Sequence, residues 1–205
     1  RLVFITGITK FSQLSIFSII NNLKNISMSP QYSALCGITE NELLTDFAED
    51  ITFMANENGC TPEEMHDKLK EHFDGYHFSR NSEDIYNPFS LLNAFDERAI
   101  GSYWFATGTP TYLIRQLQRF STDITSLYEI EAPASAVDCP TEAMTDALPL
   151  LYQSGYLTIK GYDAQWDTYH LALPNKEVRV GLMENLLPLY TQTGNYENRG
   201  YNTKY

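Results

Sequence analysis

The first apolar run of the chain is followed by small polar residues and a cation. Leu2 to Ile5 are all apolar, and the residues after them include Thr6, Gly7, Thr9 and Lys10. A continuous apolar run is typical of a strand that is buried on both faces of a sheet. Ligands bind at the carboxyl ends of parallel strands in open α/β sheets, so the pattern predicts polar groups facing a site. The alternative is an ordinary Thr-Gly turn followed by a solvated lysine.

A strand buried on both faces needs a neighbour on each side. No second run comparable to Leu2–Ile5 occurs before Tyr156. We therefore expect the chain to be the carboxyl-terminal part of a larger protein, with the remaining strands of that sheet supplied from elsewhere.

Charge is distributed unevenly along the chain, whose formal net charge is -12. Residues 1–30 contain three basic residues and no acid, whereas residues 31–75 contain eleven acids and only two lysines. A phosphate group would therefore prefer the opening segment. The acidic run is typical of solvated helix faces and argues against a broad nucleic-acid surface there.

Capping signals predict that residues 38–120 are mostly helical. Thr39–Glu42 and Thr61–Glu64 both have the capping-box pattern, and Gly59 lies where a left-handed helix stop is expected. Asn87-Pro88 and Thr109-Pro110 combine a cap with a proline at the first helical position. The predicted buried stripes of these four helices are Leu43, Leu44, Phe47, Ile51 and Met54; Met65, Leu69 and Phe73; Phe89, Leu92 and Phe95; and Leu113, Ile114 and Leu117.

The pattern changes after Phe120. Residues 121–141 show no period and predict an irregular connection. Residues 142–153 predict a helix that stops at Gly155, and 156–160 and 168–173 predict a β-hairpin with Thr158 and Lys160 on its solvent face. The apolar spacing of Val178, Leu182, Leu186 and Leu187 predicts a last helix. Helix, hairpin and helix in this order resemble a winged-helix module over 142–191, followed by a tail at 192–205. The fold class predicted overall is mainly α with a small β component.

Seven segments in a fixed order resemble the AAA-ATPase-like family that is common in gut Bacteroidetes. They cover nearly the whole chain and read FITGITKFSQLSIFSIINNLKNIS, CGITENEL, FDGYHF, YNPFSLLNAF, YWFATGTPTYLI, LLYQSGYLTIKGYD and LALPNKEVR. In that family a P-loop NTPase domain precedes this region, and a PD-(D/E)xK nuclease-like domain often follows it. The resemblance implies that residues 1–120 hold the last strand of the ATPase core and a helical lid.

The resemblance also implies roles for the opening residues. Thr6 and Thr9 would be sensors of the γ-phosphate, and Gly7 and Lys10 would contact phosphate, with ATP and magnesium bound by the full-length protein. The sequence contains no GxxxxGK[ST] phosphate loop. We therefore expect this chain alone to bind no cofactor and to be inactive, and its partners to be the P-loop domain and a nuclease-like domain.

Two other functions stay open from the sequence. The winged-helix module could bind DNA through Lys160, Lys176 and Arg179, together with Arg199. Alternatively, the lid and the wing could bind a protein partner without catalysis. From Glu131 onward the chain has nine acids and five bases, which disfavours DNA.

The remaining residues with reactive side chains predict no second active site. His72, Asp74 and His77 lie close together in FDGYHF, but Asp74-Gly75 is a common turn pair. No metal site is predicted, because the histidines and the three cysteines lack metal-ligand spacing. Nor do the acids and lysines follow the order of a nuclease centre. The unpaired cysteines and the lack of a membrane-spanning run predict a cytoplasmic protein.

Overall fold

The computed structural model describes residues 4, 6–7, 24–107, 111–122, 127, 129–140 and 143–186. The α-helices in this part are α1 (Glu40–Asp46), α2 (Ala48–Glu57), α3 (Pro62–Phe73), α4 (Pro88–Glu97), α5 (Thr111–Arg119), α6 (Ala134–Val137), α7 (Leu148–Gln153) and α8 (Lys176–Gly181). The strands are β1 (Ile38–Thr39), β2 (Ile85–Tyr86), β3 (Ile130–Pro133), β4 (Thr158–Asp163) and β5 (Thr168–Ala172). Short 3₁₀ turns occupy Pro30–Tyr32 and Trp104–Thr107, and a π turn, Leu182–Leu186, continues α8.

Residues 38–103, which we call the helical unit, form α1 to α4 and a two-stranded ribbon. Strands β1 and β2 pair antiparallel, with Ile38 opposite Tyr86, and lead into α1 and α4. The capping box of α1 is formed as predicted: the Glu42 amide donates to Thr39 Oγ1 (3.2 Å) and the Thr39 amide donates to Glu42 Oε2 (2.8 Å). Thr61 and Glu64 repeat the arrangement at α3. Local side-chain bonds thus fix where these helices begin.

One hydrophobic cluster forms the core of the helical unit. The stripe predicted for α3, Met65, Leu69 and Phe73, is confirmed, since each is at most 1% exposed. Gly59 follows α2 with φ +65°, as predicted for a left-handed stop. The other buried members are Leu43, Ile51, Met54, Ala55, Tyr86, Leu91, Ala94 and Tyr103.

Two predicted faces of the helical unit are wrong in part. The single helix expected from Glu40 to Asn58 is broken at Phe47, whose backbone leaves the helical region. The break changes the phase of the helix, so that Leu44 is half exposed while Ile51 is buried. In α4, Leu91 and Ala94 face the core, and Phe89 and Leu92 are each 47% exposed.

Residues 111–186, which we call the hairpin unit, contain α5 to α8 around a three-stranded antiparallel sheet. The strand order is β3-β5-β4, with Ala132 opposite Tyr169 and Tyr162 opposite Tyr169 on the other side. Leu113, Ile114 and Leu117 of α5 are buried as predicted. Thr109 and Pro110, the predicted cap of this helix, lie outside the described residues.

The sequence missed the first strand of this sheet. Residues 121–141 were expected to be an irregular connection, but Ile130–Pro133 form β3 and Ala134–Val137 form α6. Only Ala132 of β3 is buried, so the strand is too short to show an alternating pattern, and its pairing with β5 is non-local. The helix expected over 142–153 begins at Leu148, where the Asp146 carboxylate accepts the Leu148 amide (2.8 Å).

The opening of the chain is described only at Phe4, Thr6 and Gly7, and all three residues are exposed. Phe4 is 60% exposed, and no described strand pairs with it. The predicted burial of this run is therefore not seen at Phe4. The helices of the described residues include none with the length and apolar character needed to cross a bilayer.

Candidate functional site: the joint between the two units

The helical and hairpin units meet at the FDGYHF turn, residues 73–78. The turn follows α3, and Gly75 has a positive φ of +91° that favours glycine. A Cβ atom at Gly75 would lie 2.5 Å from the Pro174 carbonyl oxygen and 3.0 Å from Lys160 Nζ, both in the hairpin unit. The close approach of the two backbones therefore requires glycine here. We call the contacts of this turn and of Glu177 with the opposite unit the joint.

Lys160 reaches the joint because of a β-bulge. The register between β4 and β5 shifts between Ile159 and Gly161, so Lys160 is the extra residue. Its ammonium donates to the Gly75 carbonyl (2.7 Å) and to the Pro174 carbonyl (3.1 Å). The residue was predicted to be a solvated wing position, but the bulge turns its side chain toward the turn.

Lys160 is exposed as a residue, but its ammonium lies against the carbonyls of the joint. Burial lowers the pKa of Lys160, and the carboxylates of Asp84 and Asp74 oppose that effect. Two carbonyl acceptors and nearby negative charge are consistent with a structural cation that bridges two backbone segments.

Thr158 makes a reciprocal pair of hydrogen bonds with His77. The His77 amide donates to Thr158 Oγ1 (2.7 Å), and the same hydroxyl donates to the His77 carbonyl (2.9 Å). Thr158 is fully buried, whereas the sequence predicted it on the solvent face of the hairpin. The hydroxyl satisfies backbone groups of a turn that has only a single β-bridge, between Tyr76 and Ile85.

Asp74 and Asn175 form the part of the joint nearest to α8. Asn175 Nδ2 donates to the Asp74 carbonyl (3.0 Å), while Asn175 Oδ1 accepts the Val178 amide and caps α8. Asp74 is 7% exposed, and its Oδ1 has no hydrogen-bond partner among the described residues. Burial raises the pKa of this carboxyl group, and a hydrogen bond from the Gly75 amide opposes the shift.

Glu177 contacts the end of the helical unit from α8. Its Oε1 accepts the amides of Tyr103 (2.7 Å) and Trp104 (2.9 Å), and the residue is only 2% exposed. The two amide donors stabilise one oxygen of this buried carboxylate, while Oε2 has no hydrogen-bond partner among the described residues. No sequence pattern indicated this role, because the acceptor and its donors are more than seventy residues apart.

Apolar packing reinforces these polar contacts. Tyr76 and Ile85 of the helical unit belong to the same buried cluster as Leu157 and Leu173 of the hairpin unit. The rings of Trp104 and Tyr156 lie 4.7 Å apart between centroids. The two units therefore share a core at the joint.

Two residues at or beside the joint, His77 and Ser79, have side chains of types used in catalysis. His77 Nδ1 lies 2.9 Å from Asp84 Oδ1, a pair that would suit a general base. The hydroxyl of nearby Ser79 is buried without a hydrogen-bond partner in the described part of the chain, so it is not activated by that histidine. Over the same part, no group of three or more His, Cys, Asp or Glu side chains could hold a metal ion.

The predicted nucleotide contacts are only partly described. Thr6 and Gly7 are exposed and lie in no regular element, and Thr9 and Lys10 lie outside the described residues. An exposed hydroxyl and amide can meet a phosphate, but they do not form a site for ATP or magnesium. The described residues therefore do not test whether these four residues form a site, and their roles stay predictions.

The three predicted DNA contacts, Lys160, Lys176 and Arg179, all lie among the described residues. Lys160 bonds the carbonyls of the joint, and Lys176 Nζ donates to Glu71 Oε2 (3.1 Å). The side chain of Arg179 is exposed. Two of the three cations therefore already bind groups of the helical unit.

A separate polar network stabilises the helical unit around Glu40. Its Oε1 contacts His66 Nε2 (2.9 Å) and Lys70 Nζ (3.2 Å), and its Oε2 accepts the Tyr86 hydroxyl (2.5 Å). Burial raises the pKa of Glu40, but the hydrogen bonds from Tyr86 and Lys70 outweigh it, and the resulting pKa is lowered. The network therefore links α1 with α3 and also with β2.

Comparison with known proteins finds one informative similarity. An uncharacterized protein in the vnfD 5' region of Azotobacter chroococcum mcd 1 is 37% identical to this chain over 199 residues. The match covers 93% of this chain and 35% of the relative, so the chain spans about a third of the length of the curated relative that it matches. No family model matches the chain, and no solved structure matches it.

Proposed function

We propose that this chain is the sensor, lid and winged-helix part of an AAA-like P-loop ATPase, and that it is not catalytic by itself. In the full-length protein, located in the cytoplasm, it would couple ATP binding and hydrolysis to a partner domain, such as a nuclease-like domain. The observation that carries this proposal is the joint, because its buried hydrogen bonds and shared core make the two units move together.

The element order of the hairpin unit supports a winged-helix fold. The elements follow in the order helix α5, strand β3, helices α6 and α7, and the β4–β5 hairpin. The strand order in the sheet is β3-β5-β4. A winged-helix module uses this succession, with the first strand beside the last one. The module proposed here accordingly begins at about residue 111 rather than at 142.

ATP and magnesium would be bound outside this chain. The chain has no phosphate loop, and the donor groups of its described residues do not assemble a magnesium site. When bound by the full-length protein, the nucleotide would supply a γ-phosphate for Thr6 or Thr9 to contact. The role of the chain's own residues is to hold the lid and the winged helix in one orientation.

Turnover measurements on the full-length protein test the sensor role. Thr6→Val and Thr9→Val each remove a hydroxyl at nearly constant shape, and we expect ATP hydrolysis to fall about tenfold or more for at least one of them. Thr52→Val, on an exposed face of α2, is the matched control and should leave turnover unchanged. Wild-type turnover in both sensor variants would refute the sensor role, and turnover by the 205-residue chain alone would refute its inactivity.

A second experiment tests coupling through the joint. Lys160→Met removes the ammonium that bonds Gly75 and Pro174 while keeping an extended apolar side chain. We expect ATP hydrolysis to persist and the activity of the partner domain to lose its dependence on ATP. Lys176→Met, which removes a surface ion pair with Glu71, is the control and should leave coupling intact. Unchanged coupling in Lys160→Met would contradict the proposal.

The second candidate function is a non-catalytic module that binds a protein partner. It is favoured over DNA binding by the wing, whose turn carries Asp163, Asp167 and an exposed Trp166. The helix that would enter a DNA groove, α7, buries Pro149, Leu150, Leu151 and Tyr152 instead. A steep fall in duplex DNA affinity with rising salt would instead support the DNA-binding alternative.

A further inference from the structure

Part of one face of the β3-β5-β4 sheet is exposed or half-buried in the described structure, beyond the end that packs on the 73–78 turn. Tyr169 and Leu171 of β5 point into the core, so Thr168 and His170 point to the opposite face. Glu131 of β3 lies opposite His170, and Asp163 of β4 lies opposite Thr168. These four side chains and Trp166 line a shallow cavity of about 330 Å³, which we call the wing face.

The wing face combines an exposed aromatic ring with carboxylates. Trp166 is 73% exposed, and the Glu131 side chain is 67% exposed with Oε1 3.4 Å from His170 Nδ1. Asp163 Oδ1 accepts the amides of Gln165 and Trp166, which holds the backbone of the turn that carries the indole. An indole face beside carboxylates attracts a cation, and a planar guanidinium can use both.

The same hairpin already binds one guanidinium by this chemistry. The Arg80 guanidinium lies 4.4 Å from the centre of the Tyr162 ring, and Arg80 Nη1 donates to the Tyr162 hydroxyl (3.0 Å). That hydroxyl in turn donates to the Asp167 carboxylate (2.7 Å). Trp166 offers a similar combination of ring and carboxylate, yet no described cation lies over its indole.

From this arrangement we infer that the wing face is a docking surface for an arginine-containing segment of a partner protein. The guanidinium would stack on Trp166 and donate to Glu131 and Asp163, with His170 at the floor of the cavity. Charge complementarity favours a cationic partner. The β4–β5 hairpin carries acids at its turn, and the ammonium of its one lysine, Lys160, already donates to the Gly75 carbonyl. The inference goes beyond the proposed coupling role and does not require ATP.

Calorimetric titration of the 205-residue chain tests the inference with a readout that does not depend on Trp166. The probe is a synthetic heptapeptide of alternating glycine and arginine, with the lysine and glutamate versions as comparisons. We expect saturable binding of the arginine peptide, weaker binding of the lysine peptide and no binding of the glutamate peptide. Trp166→Leu and Glu131→Gln should each weaken the arginine peptide about fivefold to tenfold, as expected for one stacked and one charge-assisted contact.

Control substitutions of acidic residues outside the wing face distinguish binding at that face from attraction to the overall negative charge of the chain. Glu49→Gln and Glu63→Gln remove one exposed carboxylate each from the helical unit and should leave affinity within about twofold, since a distant exposed charge is screened. Equal weakening by these controls, or unchanged affinity in Trp166→Leu, would overturn the inference. Tighter binding of duplex DNA than of the arginine peptide would overturn it as well. The peptide titration contains no nucleotide. A negative result would therefore refute the docking surface without bearing on the proposed ATP coupling, which Lys160→Met tests separately.

Discussion

The side chains that cap the helices of the helical unit bond near neighbours in sequence, whereas the contacts that join the hairpin unit to it are between distant residues. Thr39 bonds Glu42 and Thr61 bonds Glu64, each pair three residues apart. Thr158 and His77 are 81 residues apart, and Glu177 and Tyr103 are 74 apart. Local bonds define single elements, but the distant ones hold two units in a fixed orientation. Breaking each kind should therefore have different consequences.

The largest effect is expected from Glu177→Ala. The variant leaves the amides of Tyr103 and Trp104 without their acceptor, and the Tyr103 bond is buried. We expect the free energy of unfolding to fall by about 2–4 kcal/mol, which a urea titration followed by circular dichroism would measure. Glu177→Gln keeps a carbonyl acceptor and should lose less than half as much. Equal losses in the two variants would show that the charge, and not the acceptor, stabilises the joint.

A smaller loss is expected when the hydroxyl of Thr158 is removed. Thr158→Val keeps the shape but removes both bonds to the His77 backbone, so unfolding should become easier by about 1–3 kcal/mol. Thr158→Ser retains the hydroxyl and serves as the control. Hydrogen exchange of the His77 amide should also become faster in the valine variant alone. A protected His77 amide in Thr158→Val would contradict the role of this bond.

Loss of a local cap should cost less than loss of a joint contact. Thr61→Ala removes the acceptor for the Glu64 amide and should lower the free energy of unfolding by about 1 kcal/mol. Thr52→Ala is the contrasting variant, because this exposed threonine lies inside α2, where alanine favours helix formation. Urea midpoints of the two variants should move in opposite directions. A shift of the same sign would indicate that Thr61 acts by something other than capping.

The smallest expected effect depends on pH. The pKa of Glu40 is lower in the folded protein than the ordinary value of 4.5, so its charge stabilises the fold above that pH. This contribution is lost as the pH falls through the lowered pKa. Glu40→Gln keeps an acceptor for Tyr86 but not the charge, and its deficit should stay below about 1 kcal/mol because Lys70 is half exposed.

Thermal unfolding measured from pH 7 to pH 3 would test this sign. The difference between wild type and Glu40→Gln should shrink as the solution becomes more acidic. A difference that grows below pH 4.5 would contradict the assigned direction of the pKa shift.

The contrast between local and distant contacts also explains what the sequence could predict. The caps at Thr39, Thr61 and Asn87 follow from side chains that bond amides two or three residues away, and each was located correctly. The same holds for Gly59 and Gly155, whose positive φ angles suit a helix stop. Such features need no knowledge of the rest of the molecule.

Features that depend on a distant partner could not be predicted. Strand β3 forms because its backbone pairs with β5, and the bulge at Lys160 is a shift in the pairing of β4 with β5. Thr158 looked like a solvent-facing strand residue until the His77 backbone was placed against it. At the candidate site, therefore, the sequence indicated the turn at Asp74-Gly75 but neither of its polar partners in the hairpin.

Gly75 has a consequence for how the molecule would respond to mechanical load. The turn passes so close to Pro174 that the bonds of Lys160, Thr158 and Asn175 all lie around one short stretch of backbone. A force that pulls the two units apart would load these bonds in parallel, so that they resist together rather than opening one after another. Extension of the molecule would then begin elsewhere in the chain, and the turn would yield last.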